Sequence, residues 1–283
     1  MSCPTPLIRN INGFLVPVPC GKCLSCHIDV RNMWTWRICA ELKDKDGVFL
    51  TLTIDDDNIL PSRSVYKRSC QLFFKRLRKK LGDRKIKYFC VSEYGSLDMR
   101  PHYHCIITNL TCGRYLSFDT GDYNIVRQAW PFGFIDMKPA SKANIRYVLK
   151  YLDKMQDVED FCKDYPSLNP PFRLISNGIG ADWIKSLLSS GFLGDNNTFY
   201  FDGSFRPLPR YYKDKLGLID KYRSDYSDVS LWSRLTSNPN KAEYLLKHYK
   251  PSGSGFYHDL ISLNSDFGRQ QLLDLEKKVF MKK

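Results

Sequence analysis

The chain has 283 residues, 43% of them hydrophobic and 14% aromatic, which suits a folded core and excludes a disordered polymer. Its 43 Lys and Arg against 30 Asp and Glu leave a formal charge of +13, which favours a polyanionic partner, most often nucleic acid, although a basic protein kept soluble by its charge has the same balance. No apolar run approaches the roughly 20 residues that cross a bilayer, and the N-terminal INGFLVPVPCGK, interrupted by two prolines, has no clear cleavage site, so neither a membrane partner nor a signal peptide is expected.

Residues 1–22 read as an irregular, proline-bearing entry. Within and just after it, CGKCLSC repeats Cys20, Cys23 and Cys26 at every third position. With Cys3, His27 or Cys39 as a fourth ligand, the three could bind structural zinc, although no second CxxC pair accompanies them. Ten cysteines without an export signal point to reduced thiols or metal ligands, and Cys39, Cys70, Cys90, Cys105, Cys112 and Cys162 read as core fillers.

The spacing of Ile28, Trp34, Ile38 and Leu42 predicts an amphipathic helix over 24–42. VFLTLTI (48–54) predicts a strand ending in the acidic turn Asp55, Asp56, Asp57. Ser64 is placed to cap a helix through Leu81, with Cys70, Phe73, Phe74, Leu77 and Leu81 on its apolar face. Lys75, Arg76, Lys79 and Lys80 on its other faces are either phosphate contacts or a solvated basic surface. IKYFCVSEY (86–94) and HYHCIIT (102–108) predict two strands, with Gly95 and Pro101 between them allowing a hairpin. A helix ending near Trp130, a short strand in WPFGFIDMKPA and a helix opened by Ser141 follow.

After residue 156 the pattern changes. DYPSLNPPF is a connector, GADWIKSLLSSG a short helix, and TFYFDGSFRPLP a hairpin turning at Asp202-Gly203. In PLPRYYKDKL, Arg210, Tyr211, Tyr212 and Lys213 interleave charge and aromatic rings, which suits stacking on unpaired bases or a solvated loop equally. The tail from Asp228 reads as mostly helical, broken at PSGSG (251–255). The expectation is an α+β fold: a central, mainly antiparallel sheet with flanking helices in residues 1–156, followed by a C-terminal extension, 157–283, with a mostly helical tail.

Alternation along a strand puts His102 and His104 on one face. Two imidazoles there can hold a divalent cation with one more ligand, or can be merely structural. An oxygen ligand would favour Mg2+ or Mn2+, and Glu93 falls opposite if the two strands form a hairpin. In YVLKYLDK, Tyr147 and Tyr151 are helical neighbours, as are Lys150 and Lys154. Two tyrosines beside two lysines are what transesterification of a DNA phosphodiester needs, while an amphipathic helix with snorkelling lysines has the same pattern.

Taken in order, FLTLTID, RPHYHCII and YVLKYLDK resemble the three motifs of the HUH endonucleases, the rolling-circle replication initiators. The tyrosine pair, with CGKCLSC, SNGIG and PLPRYYKDKL, is similar to the form found in small single-stranded DNA phages of the microvirus, gokushovirus type. The resemblance covers residues 48–154, extends through flanking segments to about 216, and finds nothing in the tail. It implies that His102 and His104 hold a metal and that Tyr147 and Tyr151 are nucleophiles, each followed by a lysine, Lys150 and Lys154. Glu93 becomes the third ligand, with the acidic turn at 55–57 as a substitute. The implied partners are origin single-stranded DNA and, since the sequence has no GxxxxGK[ST] motif, a host helicase and polymerase in the bacterial cytoplasm. Two other functions fit the same residues: a nuclease that activates water, and a non-enzymatic, zinc-containing nucleic-acid-binding protein.

Overall fold

The computed structural model describes residues 3–11, 14–59, 63–95, 98–113, 121–154, 158–184, 186, 193–194 and 198–216. The helical tail, its PSGSG break and most of the short helix read in GADWIKSLLSSG lie outside the described residues. The chain forms two compact units, residues 31–206, and residues 1–30 with 207–283.

In chain order the elements are β1 (Leu7–Ile11), β2 (Phe14–Val18), α1 (Leu24–Leu42), β3 (Gly47–Thr53), α2 (Lys67–Leu81), β4 (Tyr88–Tyr94), β5 (Pro101–Thr108), α3 (Tyr123–Ala129), β6 (Ile135–Pro139), α4 (Lys142–Lys154), α5 (Val158–Asp164), β7 (Arg173–Ile175), β8 (Leu193–Gly194), β9 (Thr198–Phe201), β10 (Ser204–Pro207) and α6 (Arg210–Lys215). The protein is α+β. Its central sheet runs β6-β3-β5-β4-β7, with every neighbouring pair antiparallel.

Because side chains alternate, this sheet has two different faces. Leu50, Leu52, Tyr103, Cys105 and Ile107 point to one, where they pack with Phe73, Phe74 and Leu77 of α2 and Val126 and Ala129 of α3. The apolar positions of α2 recur at helical spacing and all are buried, each large one worth about 2 kcal/mol of transfer free energy. Ser64 does not cap α2. The N-cap is Tyr66, with no side-chain cap bond, and the Ser64 hydroxyl instead accepts the Asn169 N–H at 3.1 Å. Ser141 behaves as its sequence position suggests, accepting the Asn144 N–H at 3.2 Å.

The opposite face carries Phe49, Thr51, Phe89, Val91, Glu93, His102, His104 and Ile106. α4 packs there against β4 and β5, and Trp34 of α1 meets Phe89 at 5.1 Å between ring centroids. The SNGIG segment is tied to α1 from within. Arg37, buried, donates twice to the Ile179 carbonyl, at 3.1 and 3.0 Å, while the Glu41 carboxylate, its side chain 1% exposed, accepts from Lys45, Lys87 and the Gly180 N–H. The β9–β10 hairpin turns at Asp202 and Gly203, with φ of 55° and 80°, the left-handed pair that a two-residue turn requires. Asp202 forms ion pairs with Lys142 and Arg146 of α4.

In the other unit, residues 7–18 correct the reading of an irregular entry: β1 and β2 pair antiparallel, with Ile8 opposite Pro17. A proline in a strand argues against a central position, but a two-stranded ribbon has only edges, so its missing donor costs nothing. Among the described residues no helix is long and apolar enough to cross a membrane.

Candidate active site

The register of β3, β4 and β5 builds the site. His102 lies across from Glu93 on β4 and Thr53 on β3, and His104 across from Val91 and Thr51. The diagonal brings the Glu93 carboxylate to 2.7 Å from His104 Nε2, while Thr51 Oγ1 sits 3.1 Å from His104 Nδ1. His102 Nδ1 is 2.8 Å from the Arg100 carbonyl. That carbonyl can only accept, so Nδ1 carries the proton and Nε2 of a neutral ring keeps its lone pair. The two imidazoles are nearly parallel, 6.5 Å apart.

α4 closes the site from above. The Tyr151 ring stacks on His104 at 5.1 Å, and Tyr147 meets both His104 and Phe49 edge-on, at 5.4 and 6.0 Å. The Tyr151 hydroxyl donates to that of Tyr147 at 2.6 Å. The two differ sharply in access: Tyr147 is 42% exposed and Tyr151 9%. Burial, the hydrogen bond to Tyr147 and the negative charge of Glu93 push the Tyr151 phenol well above its ordinary range.

Together these residues line an open cleft of about 860 Å3, with Glu93, His102, His104, Tyr147 and Lys150 on its walls. Thr51, Asp136, Lys138, Asn144 and Arg146 line it too, and sequence reasoning named none of them. Thr51 was legible in FLTLTID, since it alternates onto the histidine face; Arg146, next to Tyr147 and one turn before Lys150, was legible in the helix spacing. A divalent cation fits the donor set of His102 Nε2, His104 Nε2 and Glu93: two neutral nitrogens and one carboxylate, with both imidazoles oriented by partners on their other nitrogens.

The remaining candidates lie elsewhere. Lys75, Arg76, Lys79 and Lys80 are on α2, against the sheet's other face, and none lines the cleft. Arg76 donates to the Ala129 carbonyl at 2.8 Å and Lys80 to Gln128 at 2.8 Å, so two of the four brace the end of α3, while Lys75 and Lys79 are exposed. The Lys154 side chain is outside the described residues. Arg210, Tyr211, Tyr212 and Lys213 form most of α6 in the other unit. Tyr212 is completely buried, so its ring is not offered to a base, whereas Arg210 is exposed. Cys20, Cys23 and Cys26 converge with Cys3. Burial raises the Cys20 thiol, but hydrogen bonds from Thr5 and from the Lys22 and Cys23 N–H groups outweigh it and bring the pKa down to about 6.

Residues 47–156 match the family model of the replication-associated protein ORF2, a span that runs from β3 through α4 and includes Glu93, both histidines and both tyrosines. The chain is similar to the replication-associated protein VP4 of Bdellovibrio phage phiMH2K, 28% identical over 212 residues, 69% of this chain and 66% of that protein. It is 31% identical over 181 residues to the replication-associated protein ORF2 of Spiroplasma virus 4, 58% of this chain and 55% of that one. Against the replication-associated protein ORF4 of Chlamydia phage 1 it is 27% identical over 234 residues, 77% and 58% of the two chains. The chain thus spans under two thirds of the length of each of these relatives. No solved structure matches it.

Proposed function

From a chain whose residues 47–156 match the family of the replication-associated protein ORF2, we propose a replication initiator that nicks single-stranded DNA at a phage origin through a covalent tyrosine intermediate and later rejoins the ends. The observation that carries this reading is the meeting of an exposed tyrosine, Tyr147, with the His102, His104 and Glu93 donor set in one open cleft. A DNA-binding module has no need of a nucleophile beside a ligand set, and a water-using nuclease has no need of the tyrosine.

His102, His104 and Glu93 are the residues that would hold Mg2+ or Mn2+, which when bound supplies Lewis-acid stabilisation of negative charge on the scissile phosphate. The chain's own groups do the rest. Lys138, Arg146 and Lys150 offer the phosphodiester three cations at the cleft wall. Tyr147 attacks first, because its hydroxyl is open to the cleft and accepts the Tyr151 hydrogen bond, which strengthens as the Tyr147 oxygen gains negative charge. Its oxygen forms a bond to phosphorus, the bond from phosphorus to the 3′ oxygen breaks, the phenolic proton leaves to water, and the 3′ oxygen takes up a proton. The products are a 5′-phosphotyrosine and a free 3′ hydroxyl, a primer for a host polymerase. Once Tyr147 is esterified its oxygen no longer competes for that hydrogen bond as before. Tyr151 then serves the second cut, and the newly freed 3′ hydroxyl attacks the first linkage to close a circle.

Incubation of the protein with labelled origin DNA and Mn2+, followed by denaturation, tests this. Label on the protein that disappears in the Tyr147→Phe/Tyr151→Phe double variant supports it; cleavage with no adduct moves the assignment to activated water.

A further inference from the structure

The tyrosine chemistry leaves the cysteine-rich N-terminus unused. Four thiols lie there with every sulfur within 4.8 Å of the others, among the described residues the one such set of candidate metal ligands. Two of the separations are 3.9 Å, Cys20 to Cys26, and 3.7 Å, Cys23 to Cys3. Neither is a disulfide, whose sulfurs are about 2.0 Å apart. Both match a tetrahedron around a single ion, since four sulfurs at about 2.3 Å from zinc stand about 3.8 Å from each other. A four-iron cluster is bound by the same C-x2-C-x2-C spacing, but its body would hold four thiolates farther apart than these.

The backbone is shaped for thiolates as well. The N–H groups of Lys22 and Cys23 both point at Cys20 Sγ, each at 3.4 Å, and the Cys20 N–H points at Cys3 Sγ, also at 3.4 Å. Gly21, at φ 78°, supplies the left-handed residue that folds the chain back over the sulfur. Such donors stabilise sulfur that carries negative charge, and neutral core cysteines have no use for three of them.

We propose that Cys3, Cys20, Cys23 and Cys26 form a structural zinc site, a closed tetrathiolate with no position open for substrate. The fourth ligand is Cys3, not His27 or Cys39, so the site closes a loop over the whole β1–β2 hairpin. Its two ends, at Cys3 and Cys20, are pinned to the first turn of α1, where Cys26 is buried. A two-stranded ribbon is barely stable alone, and the ion supplies the anchorage that its small apolar area cannot. Binding exchanges the four thiol protons for one Zn2+, so affinity falls as pH falls.

The full chain, purified under reducing conditions without chelator, gives the test. Metal analysis is expected to find one zinc per chain, and a mercurial thiol reagent to release it in step with modification of four cysteines. Alkylation mapped by mass spectrometry is expected to modify Cys3, Cys20, Cys23 and Cys26 at least tenfold faster after chelation, with Cys162, exposed, unaffected. Cobalt exchanged into the site should give the visible spectrum of a tetrahedral four-sulfur complex. Cys3→Ser should lose that spectrum, while His27→Ala and Cys39→Ser keep it. Because alkylation is read on the native chain, the proposal remains testable even where a variant fails to fold. It is overturned by four thiols that alkylate equally with and without chelator, by iron in place of zinc, by a disulfide among the four, or by loss of the cobalt spectrum in His27→Ala with its retention in Cys3→Ser.

Discussion

Replacing Tyr151 with phenylalanine removes one oxygen and leaves the ring that stacks on His104. What is lost is the 2.6 Å hydrogen bond into the Tyr147 hydroxyl. A neutral hydrogen bond is worth about 1 kcal/mol and one to a charged oxygen about 1.5 to 3. If Tyr147 attacks first, its oxygen passes from the first kind to the second, so Tyr151→Phe should slow the first cut by roughly 0.5 to 2 kcal/mol, a factor of about 2 to 30. Tyr147→Phe removes the nucleophile itself. Its loss should exceed about 100-fold, short of the roughly 10⁶ seen for a nucleophile with no neighbour to stand in. Single-turnover adduct formation on labelled origin DNA, with enzyme in excess, measures both. Tyr147→Phe cutting at the wild-type rate while Tyr151→Phe is inert would refute the order argued from exposure.

Glu93→Gln leaves the His104 contact geometrically possible but removes a negative charge from the donor set, so Mn2+ should bind at least about tenfold more weakly by calorimetry, with circular dichroism unchanged. Gly133 has φ 151°, and a Cβ there would stand 2.4 Å from the Thr53 carbonyl, so Gly133→Ala should cost about 2 to 4 kcal/mol in denaturant unfolding and disturb the β3 end of the site. Although burial alone would raise it, the hydrogen bonds from Lys45, Lys87 and the Gly180 N–H hold the Glu41 carboxyl below the usual carboxylate range. A group depressed by folding contributes its stability above its unfolded pKa, about 4.3, and loses it as pH falls through the folded value. Thermal melts should therefore show the wild type losing more stability than Glu41→Gln as pH falls from about 5 to about 3.

Local pattern carried much of this far. α1 spans Leu24–Leu42, the range its apolar spacing indicates, and α4 carries its tyrosines at the turn spacing that makes them touch. The histidine face follows from alternation, and the place of Glu93 from one hairpin. What local pattern missed is set by partners distant in sequence. β7 has three residues and is a strand only because Phe89 and Val91 of β4 pair with it. Pro17 disguised β2, and only its partner strand reveals it. Ser64 has the residue type of a cap, but Asn169, 105 positions away, takes its hydroxyl. Cys3 lies 17 residues before Cys20, and a fold was needed to choose it over His27 and Cys39. The basic face of α2 shows the reverse limit: charge can be read from sequence, but not that Arg76 and Lys80 are engaged with α3.

The most direct measurement of the central claim is peptide mapping of the covalent product. The wild-type protein is reacted once with a short origin oligonucleotide and Mn2+, digested with protease and nuclease, and read by tandem mass spectrometry. The account predicts a nucleotide 5′-phosphate on Tyr147, absent without metal and absent in His102→Ala/His104→Ala. Cut DNA with every tyrosine unmodified would contradict it.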